Sequence, residues 1–218
     1  MSIKDNTIIL STTNSRYIPI TTNLVTTFSK FHPEIKFYLL SVNLSNKEKV
    51  FLQSLHSNLK IIEDNVKFDD HHHEKCHCAH NRTWYMPKLM QKNKFNIFWM
   101  DADVYLKGNI DELFGMLDNV DFMIRAKRMD PFKCNCGMVY VRYSEQNLEI
   151  LKEWEKNADD LGLLYWYSDQ EGLNKTIQDN MHRINYKNFP NKFNGISTNQ
   201  ESIIVHMKGP EKLRFLQK

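Results

Sequence analysis

The sequence is poor in the residues that mark several classes of protein. It has only 7 glycines, 6 prolines and 4 cysteines in 218 residues. So little glycine and proline excludes collagen-like repeats and linker-like disorder. The cysteines form two Cys-x-Cys pairs, Cys76 with Cys78 and Cys134 with Cys136, which are too few for a disulfide framework at this length. Reduced thiols are therefore expected.

Long apolar runs and long runs of one charge are also missing. Charge-free stretches such as residues 37–42 and 161–167 are far shorter than the roughly 20 apolar residues that span a bilayer, so no transmembrane segment is expected. The first residues carry no secretory pattern, which predicts a cytoplasmic protein. Lys and Arg total 29 against 26 Asp and Glu, a net charge of +3, and no basic run could follow a phosphate backbone. Nucleic acid is not an expected partner.

The sequence does contain alternating strand-like and helix-like segments. The run 35–42 is apolar at most of its positions and does not alternate with polar residues, which is typical of a strand covered on both faces in a parallel sheet. Strands are predicted at 7–10, 35–42, 59–62, 97–100, 122–125, 138–142 and 203–206. Helices are predicted from about Ile18, after a Ser45–Glu48 capping box, from Asn81 to Gln91, after Ser144, and after a Ser168–Glu171 capping box. With no repeat or linker, this order predicts one α/β domain over residues 1–218, with a mostly parallel central sheet and helices on both faces.

Two acidic residues follow the buried strand 97–100. In open α/β sheets ligands bind beyond the carboxyl ends of strands, so Asp101 and Asp103 are candidate site residues. An extended chain would point their carboxylates to opposite faces, so both reach one ion only if a turn begins at Ala102. A divalent cation makes two adjacent acids tolerable. A solvated Asp-rich turn is the other interpretation, and the spacing alone does not separate the two.

The C-terminal region offers a complementary set. His206 ends a predicted strand, Gly209 follows three residues later and Lys212 three residues after that. Imidazole is a ligand for Mn-like ions, glycine lets the backbone approach a phosphate, and lysine neutralises it. Together with the two aspartates, this set is the one that a metal diphosphate requires.

Five segments, in order along nearly the whole chain, resemble glycosyltransferase family 8, and its glycogenin-like members in particular. The matching positions are Thr13, Asn14 and Tyr17 of the uridine loop; Asp101, Ala102 and Asp103 of the D-x-D motif; Asn135 and Gly137 of an N-x-G segment; Asp169, Gln170 and Asn174 of a D-Q-x-x-x-N segment; and His206, Gly209 and Lys212 of an H-x-x-G-x-x-K tail. The N-x-G segment ending at Val141 and Arg142 also resembles family 77.

The resemblance implies a GT-A fold and a glycosyltransferase that uses a nucleotide sugar, usually a UDP-sugar, and transfers it with retention of configuration to a glycan, protein or lipid acceptor. It implies Mn²⁺ or Mg²⁺ held by Asp101, Asp103 and His206, with Asp101 also touching the ribose. Asn135, Asp169 and Gln170 would act at the donor sugar. The remaining donor-binding positions would be Thr13, Asn14, Tyr17, Ala102, Gly137, Gly209, Lys212 and Arg82, the last with Lys88 as its alternative. The chain is also compatible with a homodimer.

Three other functions share part of this pattern. A haloacid-dehalogenase-like phosphatase also uses a D-x-D strand end, but that fold usually begins with the motif. A nucleotidyltransferase needs a glycine-rich N-terminal loop, which is missing here. An inactive carbohydrate-binding relative is disfavoured because all three candidate metal ligands are present. The His- and Cys-rich residues 69–80 are predicted to be a solvated loop, with a zinc site built from Cys76, Cys78 and two of the histidines of this segment as the alternative.

Overall fold

The computed structural model describes residues 2–127, 130–196, 201–208 and 212. Among them the strands are β1 (Thr7–Asn14), β2 (Lys36–Val42), β3 (Leu59–Asp64), β4 (Asn96–Met100), β5 (Val104–Leu106), β6 (Phe122–Lys127), β7 (Asp130–Val141), β8 (Tyr186–Asn188), β9 (Gly195–Ile196) and β10 (Ile204–His206). The α-helices are α1 (Ile18–Phe31), α2 (Asn46–Ser54), α3 (His71–Asn93), α4 (Asp111–Met116), α5 (Glu145–Leu161) and α6 (Ser168–Asn180). Short 3-10 helices cover Ser15–Tyr17 and Asn191–Phe193.

The strands form two sheets. The larger has the order β3-β2-β1-β4-β7-β6-β8, and the smaller has the order β5-β10-β9. Strands β1, β2 and β3 run parallel, β6 and β7 pair antiparallel, and β8 is parallel to β6. The prediction of an α/β protein with a mostly parallel central sheet is confirmed. The chain divides into two compact units, and the prediction of one domain over 1–218 stays a prediction.

The first unit comprises Met1–Val66, Met100–Asp118 and Phe189–Lys218. All eight residues of β1 are buried, because β1 is an inner strand of its sheet. Helix α1 begins with Pro19 in its first turn, where the missing N–H has no intrahelical partner to lose. Its apolar face buries Leu24 and Phe28, each contributing about 1.5–3 kcal/mol.

One sequence prediction in this unit needs correction. The polar cluster Ser11–Asn14 was expected to follow the first strand, but it lies within β1 and is buried. Within it the Thr13 hydroxyl has a partner, since it lies 2.7 Å from the Thr21 hydroxyl, whereas the buried Ser11 hydroxyl has no hydrogen-bond partner among the residues described. Buried polar groups of this kind are tolerated when they are hydrogen-bonded.

The second unit comprises Lys67–Trp99 and Asn119–Asn188. Helix α3 begins at His71, not at Asn81, so the predicted solvated loop is a helix. Asp70 caps it by accepting a 2.8 Å hydrogen bond from the His73 N–H, and Glu74 lies in the first turn. No helix among the residues that the structure describes has the length and apolarity to cross a membrane.

Helix α6 also starts differently from the prediction. Ser168 does not cap it, because the Ser168 hydroxyl donates to the Tyr165 carbonyl oxygen at 2.7 Å. The α6 helix packs closely on α5, where a Cβ at Gly172 would lie 2.8 Å from the Ala158 nitrogen. The side chain of Trp154 on α5 is buried together with those of Leu148 and Leu151.

Candidate active site

A turn between β4 and β5 positions the acidic pair. The Val104 N–H donates to the Asp101 carbonyl oxygen at 3.0 Å, closing a turn over Ala102 and Asp103 as predicted. Strand β10 pairs antiparallel with β5, with His206 opposite Val104. The Met207 N–H adds a 2.8 Å hydrogen bond to the Asp103 carbonyl oxygen. This pairing brings the imidazole of His206 beside the acidic turn.

Asp101, Asp103 and His206 converge in the first unit. Each offers one ligand atom, and these atoms all lie within 4.8 Å of one another. The His206 Nε2 atom is 2.6 Å from Oδ1 of Asp103 and 3.8 Å from Oδ2 of Asp101. Asp103 and His206 are buried, whereas Asp101 is half-buried. Ligand bonds of about 2.0–2.6 Å place opposite ligands about 4–5 Å apart, so the spacing fits one divalent cation.

The state of Asp103 supports that fit. Its Oδ1 atom is buried and accepts no hydrogen bond from the residues described, although the imidazole is near. Burial acts to raise the pKa of Asp103. The charges of His206, and then of Lys212 and Lys208, have the opposite and larger effect, so the pKa of Asp103 is well below its usual range. A buried ionised oxygen of this kind is costly without a donor or a cation. Two carboxylates and an imidazole suit Mn²⁺ or Mg²⁺.

Two lysines flank the three ligands. The Lys212 ammonium donates to Oδ2 of Asp103 at 2.6 Å and lies 4.9 Å from the centre of the Tyr17 ring. Burial acts to lower the pKa of Lys212, but Asp103 raises it more, so the side chain stays charged. The Lys208 Nζ atom lies 3.0 Å from Nε2 of His206. Gly209 lies outside the described residues.

The residues matched to the uridine loop lie at the end of β1. Thr13 and Asn14 are buried and Tyr17 is half-buried. The Asn14 Oδ1 atom accepts a 3.1 Å hydrogen bond from the Tyr17 N–H, which fixes the short 3-10 helix that follows the strand. Because Lys212 lies against both Tyr17 and Asp103, the structure brings this loop together with the acidic turn.

A second group of candidate residues lies within the other unit. Arg82 and Asp169 are both buried, and the Arg82 Nε atom is 3.2 Å from Oδ2 of Asp169. Arg82 also donates through Nη1 to the Cys136 carbonyl oxygen at 2.6 Å. The indole N–H of Trp154 donates to the Asp169 carbonyl oxygen at 2.7 Å. This contact is not among the sequence predictions, although a buried indole N–H needs a partner and could have indicated it.

Asn135 and Gly137 belong to an irregular part of β7. The pairing with β6 jumps from Ile124 opposite Val139 to Arg125 opposite Asn135, so residues 136–138 form a bulge. The Asn135 Oδ1 atom accepts a 2.9 Å hydrogen bond from the Gly137 N–H. Bulges re-aim side chains and occur often beside active sites. Asp169 and Gln170, from the D-Q-x-x-x-N segment, lie in the first turn of α6, with Gln170 half-buried.

The zinc alternative finds no support in the structure. Cys76, Cys78, Cys134 and Cys136 form no disulfide among the residues described. Among the residues described, the only group of three or more His, Cys, Asp or Glu side chains that could hold a metal is Asp101, Asp103 and His206. Burial raises the pKa of Cys76, which disfavours the thiolate that zinc binds.

Comparisons with known proteins agree with this geometry. The family model described as nucleotide-diphospho-sugar transferase matches residues 42–214. No curated protein matches the sequence. The galactosyltransferase LgtC, solved with donor and acceptor sugar analogues, is similar with a TM-score of 0.58 and 13% identity over 96% of this chain and 94% of that chain.

Two further solved structures are similar over almost their whole lengths. A glycosyltransferase involved in glycosylation of the major capsid of PBCV-1 has a TM-score of 0.63 and 18% identity over 97% of each chain. Mouse xyloside xylosyltransferase 1 has a TM-score of 0.60 and 14% identity over 91% of this chain and 96% of that chain. These likenesses confirm the GT-A fold. Because the family model covers most of the sequence, the chain belongs to the nucleotide-diphospho-sugar transferase family and is a glycosyltransferase rather than a phosphatase.

Proposed function

We propose that this glycosyltransferase depends on Mn²⁺ or Mg²⁺ and transfers the sugar of a UDP-sugar, with retention of configuration, to a glycan, protein or lipid acceptor. The observation that carries the proposal is the convergence of Asp101, Asp103 and His206, whose ligand atoms lie within 4.8 Å of one another. A diphosphate needs a cation for tight binding, and this set of donors fits one.

The end of β1 provides the proposed nucleoside site. Thr13 and Asn14 place a hydroxyl and an amide at the carboxyl end of an inner strand, where α/β sheets bind ligands. The Tyr17 ring is half-buried and offers a face on which a uracil could stack. Ala102, between the two aspartates, is buried and is proposed to contact the nucleotide beside Asp101, which is proposed to contact the ribose.

The charged residues have separate roles in the proposed mechanism. A bound divalent cation supplies positive charge that stabilises the departing diphosphate. Lys212 adds a second positive charge, held by Asp103 at 2.6 Å before the donor arrives, so little reorganisation is needed. Gly209 is proposed to let the backbone approach the same phosphates. Lys208, whose Nζ atom lies 3.0 Å from Nε2 of His206, places a further positive charge beside the proposed ligands.

The residues of the second unit are proposed to act on the donor sugar. Asp169 pairs with Arg82 at 3.2 Å, which keeps a buried carboxylate available to accept hydrogen bonds from sugar hydroxyls. Gln170, Asn135 and Gly137 are proposed to complete the sugar contacts. The resemblance of Asp169 and Gln170 to the D-Q motif of retaining enzymes is the basis for proposing retention.

The decisive experiment measures UDP release from a panel of UDP-sugars with and without Mn²⁺. Metal-dependent release from at least one donor is the expected result, and proton NMR of the transferred sugar is expected to give the donor's anomeric configuration. Cleavage of p-nitrophenyl phosphate without UDP release would favour the phosphatase. Saturable binding of saccharides with no release from any donor would favour an inactive carbohydrate-binding relative.

A further inference from the structure

A cluster of exposed aromatic and apolar side chains lies between α5 and α6. The residues described leave nine large apolar or aromatic side chains exposed, and four of these fall within residues 161–167, here named the aromatic segment. These four are Leu161, Leu164, Tyr165 and Tyr167. Single exposed apolar residues are common, but a contiguous group marks an interaction surface.

Helix α3 holds the aromatic segment from one side. The Leu164 carbonyl oxygen lies 3.0 Å from Nε2 of His72 and 3.7 Å from Sγ of Cys76. His72 and Cys76 are one helical turn apart, so both side chains reach the same oxygen. The Lys75 ammonium lies 3.7 Å from the centre of the Trp166 ring, a close cation–π contact. The His- and Cys-rich turn therefore anchors the aromatic segment.

Helix α6 holds the segment from the other side. The Tyr165 hydroxyl donates to Oε1 of Glu171 at 2.5 Å, and the Ser168 hydroxyl donates to the Tyr165 carbonyl oxygen at 2.7 Å. The rings of Tyr165 and Tyr167 lie 6.2 Å apart at 68°. Apolar residues exposed on a flexible loop do not by themselves indicate a ligand. This segment differs, because the contacts described above hold it in place while its tyrosine rings are exposed to solvent. Fixed aromatic rings bind a partner at low cost in conformational entropy.

The aromatic segment is continuous with a residue already placed at the donor sugar. Tyr167 precedes the first residue of α6, and Asp169 is the second residue of that helix. Two residues of chain span at most about 7 Å, so the backbone of Tyr167 lies within about that distance of the backbone of Asp169, roughly the size of one sugar ring. In a glycosyltransferase the acceptor must meet the donor sugar, and this adjacency makes the segment a candidate acceptor surface.

We propose that the aromatic segment binds a carbohydrate acceptor, with the pyranose ring of the sugar packed against Tyr167. This proposal rests on the proposed function and names the acceptor class. The apolar C–H face of a pyranose packs on an aromatic ring, and its hydroxyls need nearby polar partners. The exposed imidazole of His72 and the carboxylate of Glu171 lie beside the aromatic side chains, as their contacts with Leu164 and Tyr165 show.

The chemistry of the segment favours a saccharide over the two other acceptor classes. Insertion into a lipid surface favours a set of basic residues around apolar side chains. Here Lys75 at Trp166 is accompanied by two acidic residues, since Glu171 is bonded to Tyr165 and Glu74 lies on the first turn of α3. A stable protein–protein interface buries about 800 Å² on each partner. The aromatic segment has seven residues, four of them with exposed large side chains, and supplies less area than that.

The test uses the full chain with Mn²⁺ and UDP, and gluco-, galacto- and xylo-oligosaccharides as probes. Saturation-transfer NMR is expected to detect binding of at least one saccharide to the wild type. Tyr167→Ala is expected to weaken that binding about tenfold, the effect of losing one aromatic contact, while Tyr167→Phe retains the ring and stays within about threefold. Phe51→Ala removes an exposed aromatic side chain from α2 and is the matched control, with unchanged binding.

Transfer kinetics provide a second readout that depends on catalysis. For a saccharide that accepts sugar, Tyr167→Ala is expected to raise the acceptor KM about tenfold and to affect donor hydrolysis much less. If no saccharide binds to the wild type, or if Tyr167→Ala binds as tightly as Phe51→Ala, the proposal is overturned. Transfer only to peptides or lipids would also overturn it. Failure of the wild type to release UDP from any donor instead contradicts the proposed function, since saccharide binding is measured without turnover.

Discussion

The imidazole Nε2 of His206 lies 2.6 Å from Oδ1 of Asp103, although that oxygen accepts no hydrogen bond from the residues described. The antiparallel pairing of β10 with β5 enforces this proximity, because it sets His206 opposite Val104. Backbone pairing in two sheet strands is more rigid than a loop, so the spacing of the ligands is built into the fold. This close approach is therefore best explained if His206 and Asp103 are both ligands of one metal site.

Replacing Asp103 by Asn tests that interpretation. The substitution keeps the size of the side chain but removes the negative charge, and we expect metal-dependent turnover to fall at least about a hundredfold. Mn²⁺ binding, followed by electron paramagnetic resonance, is expected to weaken in parallel while circular dichroism stays unchanged. Asp118→Asn, at an exposed position of the same unit, is the control. Undiminished turnover in Asp103→Asn would refute the metal assignment.

Lys212 is predicted to act on the leaving group rather than on the metal. Its ammonium already lies against Asp103 and Tyr17, so Lys212→Met removes one positive charge from the proposed diphosphate site. We expect kcat to fall about a hundredfold. Lys212→Arg keeps the charge with a different shape and is expected to retain more activity. Lys47→Met, an exposed residue of α2, controls for loss of net charge. Equal kcat values in Lys212→Met and Lys47→Met would exclude this role.

Much of the fold follows directly from the apolar pattern of the sequence. The strands at 36–42 and 96–100 are runs in which apolar residues outnumber polar ones, and they were predicted almost to the residue. The start of α3 was missed because its buried face is built from Cys76, His77 and His80, which carry no apolar period. His77 packs between the rings of Phe68 and Trp84, and His80 contacts Ser168. Such burial depends on tertiary partners that a local pattern does not reveal.

The candidate site was also predictable only in part, because a local sequence pattern relates only some of its residues. The acidic turn and His206 end buried strands, so their location at strand ends could be inferred from the sequence. The pairing of Arg82 with Asp169 could not, because it joins α3 to α6 and no local spacing relates them. The bulge of β7 at residues 136–138 was also missed, since its register depends on the partner strand β6.

The buried pair of Arg82 and Asp169 is predicted to be strongly coupled. Arg82→Ala leaves a buried carboxylate without its cation, and we expect it to lower the free energy of unfolding by about 3–5 kcal/mol. Asp169→Asn in the Arg82→Ala background is expected to recover part of that loss. Urea unfolding of the two single variants and the double variant measures the coupling. Lys175→Ala breaks the exposed pair with Asp179 and is expected to cost at most about 0.5 kcal/mol. If the effects of Arg82→Ala and Asp169→Asn on the free energy of unfolding simply add in the double variant, the two residues are not coupled.

The packing of α6 on α5 is predicted to require glycine at position 172. A Cβ there would lie 2.8 Å from the Ala158 nitrogen and 3.0 Å from its Cα, and backbone atoms cannot rotate away. Gly172→Ala is therefore expected to lower the free energy of unfolding by about 1–3 kcal/mol, despite the higher helix propensity of alanine. At Gly115 in α4 a Cβ meets no atom within 4 Å, so Gly115→Ala is expected to stabilise by up to about 1 kcal/mol. Equal shifts in urea midpoint for the two variants would contradict the packing argument.

Acid is predicted to destabilise the second unit through His80. Burial lowers the pKa of His80, and the opposing effects of Asp169 and Asp159 are smaller. Below a pH of about 6.5 the unfolded imidazole therefore takes up a proton that the folded one resists, so the free energy of unfolding falls as the pH falls. His80→Gln removes the titration and keeps a polar group near the Ser168 hydroxyl, which lies 3.2 Å from Nε2 of His80. The variant is expected to show a shallower loss of stability between pH about 7 and about 5 in urea titrations.

The exposed His182→Gln variant is the control, and its stability is expected to change with pH as that of the wild type does. His32 and His56 have lowered pKa values in the wild type and in both variants, so their contributions cancel in the comparison. If His80→Gln and wild type lose stability in parallel as the pH falls, His80 is not the residue responsible.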